Sequence, residues 1–111
     1  MHTKPSGLQY KVLVEGKGPM PKESDKVKVK YEGRLIDGTV FDSSYKRDPQ
    51  TNTFRCNEVI KGWTEALTMM PVGSKWEVCI PENLAYGGRQ AGQIKPYSTL
   101  IFTVELVGIE K

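Results

Sequence analysis

The feature that most constrains how this chain can fold is a recurring alternation of apolar and polar residues. In residues 100–106 every second residue is apolar, and these positions hold Leu, Phe, Val and Leu. A period of two is typical of a β-strand with one buried face. The same period recurs in residues 8–14, 27–31 and 76–80. The sequence therefore predicts a sheet whose strands each turn an apolar face towards a core.

A tight turn and several irregular stretches separate these predicted strands. The dipeptide Asp37-Gly38 precedes a short apolar segment, and both positions of an Asp-Gly pair tolerate positive φ. The pair therefore favours a hairpin between antiparallel strands. Stretches that are rich in glycine and proline, or polar without a period, predict loops. The predicted loops are residues 16–25, 43–53 and 81–97.

One segment changes from the strand period to a helical one. Ile60, Trp63, Leu67 and Met70 recur at helical spacing, and Pro71 follows as a stop signal. Because this is the only convincing helix, we predict an α+β fold in which an antiparallel β-sheet wraps around one short α-helix.

Length and composition place the chain among ordinary globular domains. Its 111 residues suit one domain, which we assign to residues 6–111 after a flexible N-terminal tail or linker at residues 1–5. Hydrophobic residues make up 38% of the chain, and no apolar run approaches the roughly 20 residues of a membrane helix. The net charge is +3, with basic residues interspersed among acidic ones, so we expect no nucleic-acid partner.

The chain lacks the residues that metal or nucleophilic chemistry needs. Cys56 and Cys79 have no metal-like spacing and His2 is the single histidine, so we expect no metal and no cofactor. Both cysteines lie in strand-like segments, and the sequence leaves open whether they form a disulfide or pack as thiols. His2 alone supplies no base for a serine or cysteine nucleophile. Asp42 and Glu58 could form a carboxylate pair, but spacing favours solvated or turn-capping roles.

A set of aromatic residues remains: Tyr31, Phe41, Trp63, Tyr86 and Phe102. Most of them lie on apolar faces of predicted strands or of the helix, where a core role is the simplest interpretation. Tyr86 differs because it lies in a long glycine-flanked loop, and loops often carry binding residues. The residues alone thus predict an apolar pocket, walled by aromatic rings and covered by a loop. They do not name its ligand.

Six segments, in order, are similar to those of the FKBP-type peptidyl-prolyl cis/trans isomerases. They are residues 29–33 (VKYEG), 37–44 (DGTVFDSS), 59–67 (VIKGWTEAL), 70–73 (MPVG), 84–87 (LAYG) and 98–106 (STLIFTVEL). The opening at residues 6–10 and the VIKGWTEAL segment most resemble the C-terminal catalytic domain of the bacterial Mip/FkpA branch. This resemblance implies an isomerase that assists protein folding and binds proline-containing polypeptides and macrolides of the tacrolimus/rapamycin type.

The Mip/FkpA resemblance also implies a monomeric isolated domain and a parent protein that dimerises through an upstream helical segment. It implies a compartment as well, the bacterial cell envelope or periplasm, with the cytoplasm as the alternative.

The resemblance further implies which residues form the site. A floor at Trp63 and walls from neighbouring rings would hold the substrate, with the Ile60 N–H and the Tyr86 hydroxyl contacting its carbonyl groups. Asp42 would add a polar contact beside Tyr31. The implied catalytic residues are Tyr86, Asp42, Phe41, Trp63 and Phe102. The implied substrate-binding residues are Tyr31, Phe41, Asp42, Val59, Ile60, Trp63, Tyr86, Ile94 and Phe102, with Ile94 in the overhanging loop.

The chain departs from the family pattern at two places on the implied rim. Asn52 and Thr53 are polar where an aromatic wall residue is common, and Phe54 follows them. In the covering loop, residues 88–93 form an altered tip, and Lys95-Pro96 replaces a common Pro-Pro pair. Two alternatives therefore stay open, a proline-binding or chaperone module without turnover and a structural interaction domain with a filled pocket.

Overall fold

The computed structural model describes residues 2–46, 51–88, 94–95 and 97–110. Within these residues the secondary structure follows the predicted α+β pattern. The elements are β1 His2–Thr3, β2 Gln9–Val14, β3 Lys26–Leu35, β4 Val40–Ser43, β5 Asn52–Arg55, α1 Lys61–Leu67, β6 Lys75–Ile80 and β7 Leu100–Glu110. Three short 3₁₀ turns lie at Ser44–Lys46, Cys56–Glu58 and Glu82–Leu84.

All the strand pairs are antiparallel and join into one sheet with the order β1-β2-β6-β7-β3-β4. The centre is the pairing of β3 with β7, which extends from Lys26 opposite Glu110 to Leu35 opposite Leu100. The other edge of β3 is shared between two short strands, because β5 pairs with its first half and β4 with its second. The predicted fold class is confirmed, since one short helix packs against this sheet.

A serine side chain fills the gap where β3 changes partner. Tyr31 lies between the stretches of β3 that pair with β5 and with β4. Its backbone N–H donates to Ser44 Oγ at 2.7 Å, and Ser44 Oγ donates to the Tyr31 carbonyl at 3.2 Å. Ser44 is fully buried, so its hydroxyl takes the place of a missing strand in satisfying this backbone.

Helix α1 lies close to the sheet because a glycine faces β6. A Cβ atom placed on Gly62 would lie 2.5 Å from Ile80 Cγ2, which is far inside normal contact. The absence of that atom lets the buried side of α1, with Trp63, Ala66 and Leu67, pack on the apolar face of the sheet. The next residue after Gly62, Trp63, is therefore held at the surface of the sheet.

The central strands and the hairpin follow the sequence prediction. The alternating residues of β6 and β7 are buried, as are Val27, Val29 and Tyr31 in β3. At the hairpin, Gly38 has a φ of 91° and donates its N–H to the Leu35 carbonyl at 2.9 Å. The prediction of a tight turn there is confirmed.

The sequence prediction is wrong at the edge of the sheet. Val12 and Val14, which the period of two placed on a buried face, are 40% and 51% exposed. Their part of β2 pairs with β6 on one side only, because β1 covers just Gln9 and Tyr10, and the register shifts between Val12 and Val14. Within residues 1–5, which were predicted to form a flexible tail or linker, His2 and Thr3 form the short strand β1.

The predicted loop at residues 43–53 is also only partly correct. Ser43 ends β4, Ser44 is buried, and Asn52 and Thr53 begin β5. Cys56 lies in a 3₁₀ turn instead of a strand. Cys56 and Cys79 are both free thiols, and burial raises the pKa of each above the ordinary thiol value.

Candidate active site

A cavity of about 550 Å³ opens between the N-terminal end of α1, strands β3 to β5, β7 and the loop after β6. Its size is within the usual range for ligand pockets, and apolar side chains form most of its lining. The lining residues are Tyr31, Phe41, Asp42, Phe54, Glu58, Val59, Ile60, Trp63, Ala85, Tyr86 and Phe102.

Trp63 is the aromatic residue around which the cavity is built. Three rings meet it nearly at right angles, with centroid distances of 5.0 Å to Tyr31, 5.2 Å to Phe102 and 5.6 Å to Phe54. Edge-to-face contacts of this kind stabilise an aromatic cluster beyond its buried area alone. Trp63 is only 5% exposed, so its ring is enclosed by these neighbours.

A second aromatic contact forms the wall opposite the helix. Phe41 and Phe102 meet edge to face with centroids 5.6 Å apart. The space for both rings is left by Gly33 of β3, since a Cβ atom there would lie 2.6 Å from Phe41 Cζ and 2.7 Å from Phe102 Cε1. A side chain at this position is therefore incompatible with the present wall.

Few polar groups reach the cavity, and each has a defined environment. The Tyr31 hydroxyl donates to Asp42 Oδ2 at 2.6 Å, and both residues line the cavity. Tyr86 is 38% exposed, and its hydroxyl makes no hydrogen bond to another residue that the structure describes. Ile60 precedes α1 with φ −59° and ψ 150°, and among the described groups none accepts its N–H. Tyr86 and Ile60 thus each offer a donor to a ligand.

The structure brings together nearly all of the residues that the sequence implied. Tyr31, Phe41, Asp42, Val59, Ile60, Trp63, Tyr86 and Phe102 all line this cavity. Ile94 does not: it is 4% exposed and belongs to the buried core. The predicted departures at residues 89–93 and Pro96 lie outside the described residues.

Three lining residues were not among the site residues that the sequence implied: Phe54, Glu58 and Ala85. Phe54 supplies an aromatic wall directly after Asn52 and Thr53, and its aromatic side chain next to these two polar residues was the available signal. Glu58 was considered only as a possible carboxylate partner of Asp42, and its distance from Asp42 along the chain does not indicate that both line one cavity.

The fold and cavity define a class of protein, an α+β domain with one aromatic, largely apolar pocket for a small ligand or a short peptide segment. Residues 18–107 match the family described as FKBP-type peptidyl-prolyl cis-trans isomerase. The chain therefore belongs to this family.

Individual relatives agree with this assignment. The chain is 58% identical over 105 residues to the FKBP-type 22 kDa peptidyl-prolyl cis-trans isomerase of Escherichia coli strain K12, covering 94% of this chain and 50% of that protein. It is 54% identical over 108 residues to the outer membrane protein MIP of Legionella longbeachae, covering 96% and 46%. The crystal structure of FkpA from Escherichia coli superposes with a TM-score of 0.93 at 46% identity, covering 98% and 51%.

The chain spans about half the length of the curated relatives that it matches. Over the part of the chain that the structure describes, no helix is long and apolar enough to cross a membrane.

Proposed function

We propose that this domain accelerates rotation about the peptide bond before proline in polypeptide substrates and that the aromatic cavity is where it does so. The observation that carries the proposal is the contact of three rings with Trp63 at the base of an open cavity that has few polar groups. Such a site suits the compact, apolar proline ring. Binding of proline-containing polypeptides is also what the family assignment implies.

The chemistry requires neither a nucleophile nor proton transfer. Rotation must break amide resonance, which creates a barrier of about 18–20 kcal/mol. The planar amide is charge-separated and well hydrated, whereas the twisted transition state has lost much of that separation. Transfer from water into an apolar cavity therefore disfavours the planar state more than the transition state, and the barrier falls. Uncatalysed exchange takes about 10–100 s at 25 °C, so acceleration relieves a slow folding step.

Each candidate residue has a role that follows from its position. Trp63, Phe41 and Phe102 supply the apolar surroundings of the rotating bond. The Tyr86 hydroxyl and the Ile60 N–H donate to substrate carbonyl groups and so hold one end of the bond while the other turns. Val59 adds an apolar contact at the rim.

Asp42 supplies a further polar group to the cavity, besides those of Tyr86 and Ile60. Its hydrogen bond from the Tyr31 hydroxyl fixes both side chains beside the floor. The remaining implied residue, Ile94, is buried in the core, so we expect its effect on substrate binding to be indirect.

The test is a proline-peptide exchange measurement by NMR, in which no coupled protease is needed. The wild-type domain should exchange the peptide far faster than buffer does. Tyr86→Phe should lower kcat/KM about twofold to tenfold, because one hydrogen bond contributes about 0.5–1.5 kcal/mol. Tyr97→Phe is the matched control, since Tyr97 is exposed and lies outside the cavity lining.

Two outcomes would overturn the proposal. A folded protein that leaves the exchange rate at its buffer value would refute catalysis, and peptide binding without acceleration would support a proline-binding module instead. A folded protein that neither binds nor accelerates the peptide, with Tyr86→Phe behaving the same, would favour a structural interaction domain with a filled pocket.

We further propose that the cavity binds macrolides of the tacrolimus/rapamycin type, which its size and aromatic walls support. Calorimetric titration tests this, and a proline peptide should compete with the macrolide. We also propose that the isolated domain is monomeric, that the parent protein dimerises through a segment outside this chain, and that it works in the bacterial cell envelope or periplasm.

The name of the Legionella relative, an outer membrane protein, supports the envelope. Light scattering on both forms and fractionation of cells that express the full reading frame would check the oligomeric state and the compartment. Recovery of the protein in the cytoplasmic fraction would contradict the envelope proposal.

A further inference from the structure

The segment between β5 and α1 supplies part of the cavity lining, although little of the segment is buried. Glu58, Val59 and Ile60 all line the cavity. Val59 and Ile60 are half-buried, whereas Glu58 and its neighbour Asn57 are exposed. A stretch with few buried apolar contacts is weakly held by its own side chains. We therefore expect its position to depend on hydrogen bonds from other elements.

The start of this segment is fixed at Cys56. The Cys56 side chain is fully buried, and its N–H donates to the Asp25 carbonyl at 3.0 Å. The Cys56 carbonyl accepts a hydrogen bond from Thr64 Oγ1, a residue of α1 that lies eight positions further along the chain. This side-chain bond ties the beginning of the segment to the helix.

The end of the segment is held by the same threonine. The Thr64 N–H donates to the Ile60 carbonyl at 3.2 Å, and the Trp63 N–H donates to it at 2.9 Å. These two bonds belong to the first turn of the helix, but the bond from the Thr64 hydroxyl to Cys56 is no part of the helical pattern. One residue of α1 thus closes residues 56–60 into a loop, and it directly follows Trp63, the floor of the cavity.

Thr64 does not line the aromatic cavity, so its hydroxyl reaches a substrate only through the residues that it holds in place. Ile60 is the important one, because its N–H is a proposed donor to a substrate carbonyl. A substrate that packs on the Trp63 ring and accepts from the Ile60 N–H needs these two groups at one separation. A misplacement of about 1 Å in a binding site can cost up to about a hundredfold in rate.

We propose that Thr64 is a positioning residue of this site. Its hydroxyl, through the Cys56 carbonyl, holds residues 56–60 so that the Ile60 N–H and the Trp63 ring meet the same substrate. This inference rests on the proposed isomerase function and adds a residue on which substrate binding depends.

Thr68, one helical turn after Thr64, offers a matched control. Its Oγ1 donates to the Thr64 carbonyl at 2.8 Å and to the Glu65 carbonyl at 3.1 Å, so its bonds stay within the helical segment. Both threonines are half-buried. Thr64→Val and Thr68→Val each remove one hydroxyl at nearly constant shape, but only Thr64→Val removes the bond to Cys56. Thr64→Ser keeps the hydroxyl and loses only a methyl group.

The test is proline-peptide exchange by NMR over a range of peptide concentrations, which gives kcat and KM for each variant. Thr64→Val should raise KM about threefold to tenfold, because one hydrogen bond contributes about 0.5–1.5 kcal/mol. Its kcat should stay within about twofold of the wild type, as expected when binding is lost equally from the ground and transition states. Thr64→Ser and Thr68→Val should both keep KM within about twofold of the wild type.

A loss of stability alone would change a different quantity. Partial unfolding lowers the concentration of active protein and therefore the apparent kcat, but it leaves KM unchanged. Urea titration of each variant gives the folded fraction for this comparison. If Thr64→Val does not fold, Thr64→Ala removes the same hydroxyl and takes its place, with the same expected rise in KM.

The Ile60 amide provides a second measurement that does not depend on rates. In the wild type its proton resonance should move downfield when peptide saturates the site, because the N–H then donates to a substrate carbonyl. The displacement should be smaller in Thr64→Val at saturation and unchanged in Thr68→Val. An equal displacement in Thr64→Val would contradict the positioning of Ile60 by Thr64.

The outcomes separate this inference from the proposed function. No acceleration of any peptide by the folded wild type would refute the isomerase function itself. Acceleration by the wild type with an unchanged KM in Thr64→Val would refute the role of Thr64 alone. A rise in KM of equal size in Thr64→Ser or in Thr68→Val would also overturn this role, because the bond from the Thr64 hydroxyl to Cys56 would then not be its cause.

Discussion

Replacing Gly33 by alanine should disturb the aromatic wall without touching any polar group of the site. The new Cβ would lie 2.6 Å from Phe41 Cζ and 2.7 Å from Phe102 Cε1. Carbon atoms in optimal contact are about 3.5–4.0 Å apart, so each ring has to retreat by roughly 1 Å. Phe102 also contacts Trp63, with ring centroids 5.2 Å apart. A shift of the Phe102 ring should therefore displace Trp63 at the floor of the cavity as well.

The expected cost of Gly33→Ala follows from this overpacking. Extra methyl groups in a packed core cost about 1–3 kcal/mol, which for a domain of this size is a decrease in Tm of roughly 4–12 °C. A misplacement of about 1 Å in a binding site lowers kcat/KM by up to about a hundredfold, and we expect a loss of at least about tenfold. Thermal unfolding and proline-peptide exchange, measured well below the Tm of the variant, give the two quantities independently.

A second glycine supplies a matched control. Gly108 lies in β7, and a Cβ atom there would meet nothing within 4 Å. Gly108→Ala should leave kcat/KM unchanged and either leave stability unchanged or raise it by about 0.4–1 kcal/mol through the unfolded state. If Gly33→Ala retained the Tm and the kcat/KM of the wild type, the reasoning that Gly33 makes room for the wall would be refuted.

Three further predictions concern buried polar groups. Ser44→Ala leaves the Tyr31 N–H without its acceptor at 2.7 Å, so the free energy of unfolding should fall by about 1–3 kcal/mol in urea titrations, and an unchanged value would contradict this role. Tyr31→Phe removes the donor to Asp42 and should lower kcat/KM severalfold in peptide exchange. A kcat/KM equal to that of the wild type would contradict the supporting role of the Tyr31–Asp42 hydrogen bond. Burial raises the pKa of Cys56 above its ordinary 9.0, so the stability contribution of the neutral thiol is present below pH 9.0 and is lost as the pH rises through the raised pKa. The urea concentration at the unfolding midpoint should therefore fall over this alkaline range, and a midpoint that rose there would contradict the assignment. Alkylation of the two thiols in the folded protein is a second check. Fully buried Cys56 should react more slowly than half-buried Cys79, and equal rates would also contradict the assignment.

The strands that were predicted well are those that are covered on their apolar face. In β7, Leu100, Phe102, Val104 and Leu106 alternate in the sequence and are all buried in the structure. The period of two reports which residues share a face, and this is a local property of the chain. It does not report whether another element covers that face, and so the exposure of Val12 at the edge could not be predicted.

The site likewise has features that the sequence indicates and features that only the structure shows. The aromatic residues and Asp42 were identified from the sequence, and the structure brings them to one cavity. Their convergence depends on elements far apart in the chain, as the edge-to-face contact of Trp63 in α1 with Phe102 in β7 illustrates. The sequence did not place Glu58 in the cavity, because a charged residue in an irregular segment has no period that indicates the direction of its side chain.

The sequence by itself thus determined the α+β class, the central strands, the single helix and the identity of the rings, because these depend on local periodicity and on ordered motifs. Only the tertiary structure decided which groups face the same space. The close approaches of Gly62 to Ile80 and of Gly33 to Phe102, and the contacts of Tyr31 and Phe102 with Trp63, all arise between segments distant in the chain. Contacts of this kind depend on packing in three dimensions, which local residue patterns do not encode.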